Sequence, residues 1–94
     1  MSDVLVEMFA DLRRQRPPVY DADGWAGWIA AMRQVIQVLP TYDQRWASVV
    51  LLADDLAGAM RMPLPIMSRA LAGLLLAEGD RVGTVGQEGC RYEL

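Results

Sequence analysis

The chain has 94 residues, 53% of them apolar and 22% charged, which suits one globular domain and argues against a disordered chain. A net charge of −3, with nine arginines and no lysine, lowers the expectation of a nucleic-acid partner, because phosphate binding usually leaves a basic footprint. One cysteine and no histidine exclude an internal disulfide and argue against a zinc site.

Residues 1–18 are predicted to form a first helix and an arm. Ser2 can cap the helix, and its apolar side chains recur at helical spacing. They are Val4, Leu5, Met8, Phe9 and Leu12. This stripe fits packing on the domain core and dimerisation about equally well. The arginine-rich residues 13–16 suit a helix carboxyl end better than an arm on phosphates, since cations there meet the negative end of the macrodipole.

A second helix is predicted from a cap at Asp21 or Asp23 to about Val38. Its apolar side includes Trp25 and Trp28, which are three residues apart and share a face. Because tryptophan buries a large area, the pair favours a core or a subunit interface. A platform for a base or a small-molecule ligand, in a pocket with Met32, is the alternative.

The middle of the chain is predicted to contain a short strand and two helices. Residues 45–48 are expected to form the strand, with Ser48 as a cap for a helix over residues 49–60. A break at residues 61–63 precedes a further helix over about residues 65–77, which Glu78-Gly79 ends. The inward face of this last helix is expected to carry Met67, Ala70, Leu71 and Leu74.

Residues 80–94 have the pattern of a β-hairpin. Two strands, over residues 81–85 and 90–94, flank a turn that glycines bracket, Gly86-Gln87-Glu88-Gly89. Cys90 is interpreted as a small buried apolar residue before it is interpreted as a redox sensor.

From Trp46 to its end, the chain resembles the winged helix-turn-helix domain of bacterial regulators of the MarR, ArsR and GntR kind. The residues that carry the resemblance are Leu56-Ala57, Ser68-Arg69-Ala70-Leu71, Leu74 and Glu78-Gly79. The resemblance implies a mainly α fold with a small β-hairpin and an N-terminal helical extension. We therefore expect a single winged-helix domain over residues 1–94, with its helical core in residues 19–79 and its wing in residues 80–94.

The resemblance also implies a homodimeric DNA-binding transcriptional regulator. It places five residues on the side of the motif's second helix that enters the major groove. They are Leu64, Pro65, Ser68, Arg69 and Ala72. Arg81 and Arg91 would extend this contact. Among these residues of the second helix, only Arg69 offers a strong donor for a guanine edge or a phosphate.

The alternative is a winged-helix module that binds another protein and not DNA. The acidic charge, Glu88 at the wing tip and an apolar second helix favour it. Leu75 and Leu76 are not both expected to fit the core that Leu71 and Leu74 already occupy, so one is expected under a neighbouring helix or a partner. The partner-binding residues of this hypothesis are Trp25, Trp28, Leu75 and Leu76.

No pattern in the sequence indicates catalysis, a cofactor or a metal. The carboxylates are scattered at no telling spacing, and no phosphate-binding glycine loop follows a strand. The longest apolar run, residues 49–53, is too short to span a membrane, and no basic segment of a secretory signal opens the chain. We expect a cytoplasmic protein that is not an enzyme.

Overall fold

The computed structural model describes residues 3–81, and within this range the chain forms four helices joined by short connections. These are α1 (Asp3–Arg14), α2 (Ala22–Gln37), α3 (Tyr42–Met60) and α4 (Leu64–Leu75). One further helical turn follows α4 at residues 78–81. The first, second and fourth helices confirm the predictions for those segments to within two or three residues.

Local hydrogen bonds fix where α2 and α3 begin. The Asp21 carboxylate accepts from the Gly24 N–H at 2.9 Å and caps α2, as predicted. At α3 the Thr41 hydroxyl accepts from the Gln44 N–H at 3.1 Å, and the Gln44 side chain accepts from the Thr41 N–H at 3.3 Å. This reciprocal capping box satisfies two backbone donors that the first turn of a helix leaves unpaired.

The core lies between α2, α3 and α4, and α1 packs on its edge. Each of the three inner helices supplies large buried side chains at helical spacing. They are Trp28, Met32 and Ile36 of α2, Trp46, Val49, Leu52 and Leu56 of α3, and Met67, Leu71 and Leu75 of α4. From α1, only the partly buried Phe9 and Leu12 pack against this core. The first helix is therefore the least buried element of residues 3–81.

Paired contacts hold α1 and its connection to α2 in place. The Arg13 guanidinium donates to both carboxylate oxygens of Asp55 in α3, at 2.8 and 3.0 Å. The indole N–H groups of Trp28 and Trp25 donate to the carbonyls of Leu12 and Pro18, at 2.6 and 2.8 Å. Both tryptophans thus secure the end of α1 and the loop that follows it.

The predicted winged-helix fold class is wrong, because residues 3–81 contain no strand. The strand expected at residues 45–48 lies inside α3, where the capping box at Thr41 and Gln44 starts a helix well before it. Arg81, expected to open the hairpin, lies in a helical turn, its N–H donating to the Ala77 carbonyl at 3.3 Å. The rest of the predicted wing, residues 82–94, lies outside the described residues.

The end of α4 explains why a prediction about its leucines is also wrong. The helix stops at Leu75, and Leu76 takes an extended conformation with φ −104° and ψ 147°. This change of backbone direction lets both Leu75 and Leu76 turn into the core, where both are fully buried. Neither side chain is available to a partner.

Candidate functional site

The exposed side of α4 is apolar over most of its length. Ile66 and Leu74 keep 53% and 49% of their surface exposed, and Ala70 and Gly73 between them are exposed as well. These positions lie at i, i+4, i+7 and i+8, so they share one side of the helix. We call this set, with Arg69 at its edge, the α4 outer face. Arg69 is the only charged residue in α4.

This composition is unusual for a surface helix. Helices on a protein surface normally carry polar residues on the side away from the core. The inner side of α4 is already apolar, with Met67, Leu71 and Leu75 in the core, so the helix is apolar on both sides. A helix of that kind is normally covered on both sides. The α4 outer face therefore has the composition of a buried surface while lying open within the described part of the chain.

The α4 outer face has a shallow depression in its middle. Ala70 has a small side chain and Gly73 has none. Apart from the adjacent residues and the backbone of α4 itself, no atom lies within 4 Å of the position that a Cβ at Gly73 would occupy. Ile66 and Leu74 stand on either side of this depression. A second helix laid across it can bring its backbone close to that of α4, with the two larger side chains packing at its flanks.

The residues predicted to face DNA do not share one exposed surface. Leu64, Pro65 and Arg69 are exposed, as is Arg81 in the turn after α4. Ser68 is 1% exposed and Ala72 is also buried, so their placement on the groove side is wrong. Both lie on the side of α4 that packs on the core, in line with Leu75. Arg91 lies outside the described residues.

The tryptophans predicted to bind a partner pack within the chain. Trp28 is buried, so its assignment as a partner contact is wrong, and Trp25 is half-buried beside it. Their ring centroids are 5.2 Å apart in an edge-to-face arrangement with an interplanar angle of 75°. Because each indole N–H is already bonded to a backbone carbonyl, the pair joins the α1–α2 connection to the core.

Sequence reasoning missed the residues of the α4 outer face. The periodicity of α4 predicts Ala70 and Leu74 in the core, yet both are exposed, and it does not distinguish Ile66. The available signal was the charge pattern, because Arg69 is the single charge between Arg61 and Glu78.

A second apolar surface lies between α1 and α2. Leu5, Met8 and Leu12 of α1, with Ala31 and Val35 of α2 and Val38 just after it, line a groove of about 470 Å³. Its polar residues are Asp11 and Gln34. We call this the α1–α2 groove. Within this lining, Met8 and Val38 are 45% and 59% exposed. The groove is open because α1 touches the core along only one of its sides.

Two arginines are paired with aspartates inside the chain. Arg13 and Arg45 are each held by two hydrogen bonds to an aspartate, Asp55 and Asp80 respectively. The hydrogen bonds that Arg13 donates to the Asp55 carboxylate raise the pKa of Arg13, which therefore stays charged at every ordinary pH. Two of the nine arginines are thus committed to the fold, which reduces the positive charge available for binding phosphate.

Two other classes of site find no support in residues 3–81. No group of three or more acidic, histidine or cysteine side chains in this range is placed to hold a metal ion. None of the described helices is both long and apolar enough to cross a bilayer.

The chain matches no family model, no curated protein and no solved structure among those with which it was compared. The residues of the two apolar surfaces are therefore the basis on which a function can be inferred.

Proposed function

We propose that this protein is a non-catalytic helical interaction module that binds another protein through the α4 outer face. The observation that carries the proposal is that an exposed helix face contains Ile66, Ala70, Gly73 and Leu74 and one charge, Arg69. Interface centres are depleted in charged side chains, apart from arginine, relative to the rest of the surface. Covering the exposed halves of Ile66 and Leu74 contributes roughly 1 kcal/mol each.

The partner chemistry that fits this face is an amphipathic helix. Its apolar side would lie over Ala70 and Gly73, as in other complexes in which a helix occupies an apolar groove. Arg69 makes no ion pair with any described residue, and it would meet a carboxylate on the partner. A charge pair at the rim sets orientation and association rate more than affinity. We place this function in the cytoplasm, because a single cysteine suits a reducing compartment.

DNA binding by α3 and α4 is the second candidate. The observation that favours it is the three-residue connection at residues 61–63, which is typical of helix-turn-helix pairs, together with exposed Arg69 on the second helix. Against it, Ile66 and Leu74 would be placed beside phosphates, and the acidic Asp54 is exposed on α3. No arginine other than Arg69 lies on α4 to share the work of binding phosphate.

The test is a comparison of three proteins in affinity capture from cells. The wild type is compared with Ile66→Asp and with Val19→Asp, which puts the same charge on an exposed loop residue. A carboxylate at position 66 lies in the first turn of α4, where it is compatible with the macrodipole, so the helix is expected to survive. We expect Ile66→Asp to lose partners that both the wild type and Val19→Asp retain. Equal capture by all three proteins contradicts the proposal.

Anisotropy of labelled mixed-sequence duplexes at about 50 mM salt separates the two candidates. Wild-type binding that falls steeply with added salt, and that Arg69→Ala weakens, supports DNA binding. We expect no such salt-dependent binding by the wild type.

A further inference from the structure

The α1–α2 groove is lined by apolar side chains, several of which stay partly exposed within residues 3–81. Leu5, Met8, Leu12 and Val38 are among its lining residues, and Met8 and Val38 are 45% and 59% exposed. An adjoining side of α1 borders a smaller hollow of about 260 Å³, which shares Leu5 with the groove and also contains Val6, Phe9, Leu39 and Ala47. A helix with so few contacts to its own core gains much from a further neighbour.

The charges of α1 are separated along its length. Glu7 and Asp11 lie in the first three turns, and Arg13, Arg14 and the following Arg16 are at the carboxyl end. Glu7 and Arg14 are seven residues apart, so they lie two turns apart on the same edge of the helix. Both are exposed. An antiparallel copy of α1 would set the acidic end of each helix against the basic end of the other.

We propose that the occupant of the α1–α2 groove is α1 of a second copy of this chain, packed antiparallel about a two-fold axis that passes between residues 10 and 11. Glu7 of each copy then pairs with Arg14 of the other, and Met8 of each copy enters the groove of the other. The two α1 helices and the two α2 helices form a four-helix arrangement. The interface is closed, because both copies use the same surface.

Contacts within the chain hold Arg14 less firmly than Arg13. Arg13 is held by two hydrogen bonds to Asp55, with both side chains about two-thirds or more covered. Arg14 meets Asp11 of its own helix in an exposed pair three residues apart. Such pairs contribute about 0.2–0.5 kcal/mol and exchange readily for a better-placed partner. A parallel arrangement would instead set Glu7 against Glu7 and align the two macrodipoles.

The test is light scattering and sedimentation of the full chain at tens of micromolar, an order of magnitude set by ordinary interface affinities. We expect a dimer. Met8→Asp is expected to give a monomer, and Glu7→Arg and Arg14→Glu each to raise the dissociation constant about tenfold. The double variant Glu7→Arg with Arg14→Glu restores the paired charges, so its dissociation constant should return to within about threefold of the wild type.

Ile66→Asp is the control, because the α4 outer face takes no part in this interface. A monomeric wild type at these concentrations overturns the proposal. A dimer that Ile66→Asp disrupts and Met8→Asp does not disrupt places the interface on α4 and also overturns it. A dimer that the double reversal fails to restore excludes the antiparallel pairing. Capture of a different protein through α4 is a separate result, so the two proposals can fail independently.

Discussion

Arg45 and Asp80 join the beginning of α3 to the turn after α4 through two parallel hydrogen bonds. The Arg45 Nε and Nη2 atoms donate to the two carboxylate oxygens of Asp80 at 2.8 and 3.1 Å. The remaining Nη1 donates to the Leu39 carbonyl at 2.8 Å, and the Trp46 indole donates to the Asp80 carbonyl at 3.2 Å. One aspartate thus secures both a charged and an aromatic side chain of α3.

Asp80→Ala is expected to destabilise the fold by about 1–3 kcal/mol, because it leaves a mostly covered guanidinium without its carboxylate. Urea unfolding followed by circular dichroism measures the change. Asp43→Ala, at an exposed position in the first turn of α3, is a control that removes the same kind of charge. Equal losses in the two variants would contradict a specific role for the Arg45–Asp80 pair.

The neighbouring aspartates of α3 offer a sharper comparison. Asp55 holds Arg13 of α1, whereas Asp54 is exposed. We expect Asp55→Asn to lower the free energy of unfolding by about 1 kcal/mol and Asp54→Asn to change it by less than about 0.5 kcal/mol. A raised pKa of Arg13 means that its contribution is complete below the ordinary arginine pKa and is lost only above it. The difference between the variants should therefore be constant between about pH 6 and pH 9.

Gly73→Ala is expected to raise stability and weaken partner binding at the same time. Glycine inside a helix costs roughly 0.5–1 kcal/mol relative to alanine, and the space around Gly73 is open. If a partner helix lies over Ala70 and Gly73, the added methyl group holds it away from α4. Gly27→Ala is the matched control in α2, since its surroundings are equally open. It should stabilise the chain by a similar amount and leave capture unchanged. Unchanged capture by both variants would speak against the α4 outer face.

Arg61 has φ 54° and ψ 46° at the end of α3, the left-handed conformation that glycine adopts at lower cost. Arg61→Gly is expected to raise the free energy of unfolding by about 0.5–1 kcal/mol. Arg33→Gly, in the middle of α2, should lower it by a similar amount. Thermal melts of the two variants would shift in opposite directions, and a destabilised Arg61→Gly would show that the arginine side chain makes a compensating contact.

Local signals in the sequence were sufficient for α1 and α2. The stripe from Val4 to Leu12 predicted the first helix, and a cap at Asp21 or Asp23 predicted the second; both helices are present, and Asp21 is the cap. The same kind of signal is present at α3, where Thr41 and Gln44 have the spacing of a capping box and are followed by a helix. A strand at residues 45–48, with Ser48 as a cap, is the wrong prediction here, because the helix begins before these residues.

The orientation of α4 could not be obtained from periodicity. Because α4 carries apolar residues on all its sides, two different faces have the spacing of a buried face. One consists of Met67, Ala70, Leu71 and Leu74, and the other of Met67, Leu71 and Leu75. The neighbouring helices select the second set. The Arg45–Asp80 pair could not be predicted from the sequence either, since its members are 35 residues apart and neither has a local feature that indicates the other.

The three tryptophans of this chain are optical reporters of different junctions. The Trp28 and Trp25 indoles bond to Leu12 and Pro18, and the Trp46 indole bonds to Asp80. If α1 detaches while the other helices remain packed, water reaches the first two rings, and their emission shifts to longer wavelength. The ring of Trp46, buried beside the turn that follows α4, keeps its emission until that turn opens. Variants that retain a single tryptophan would thus reveal the order in which the two ends of the helical assembly separate.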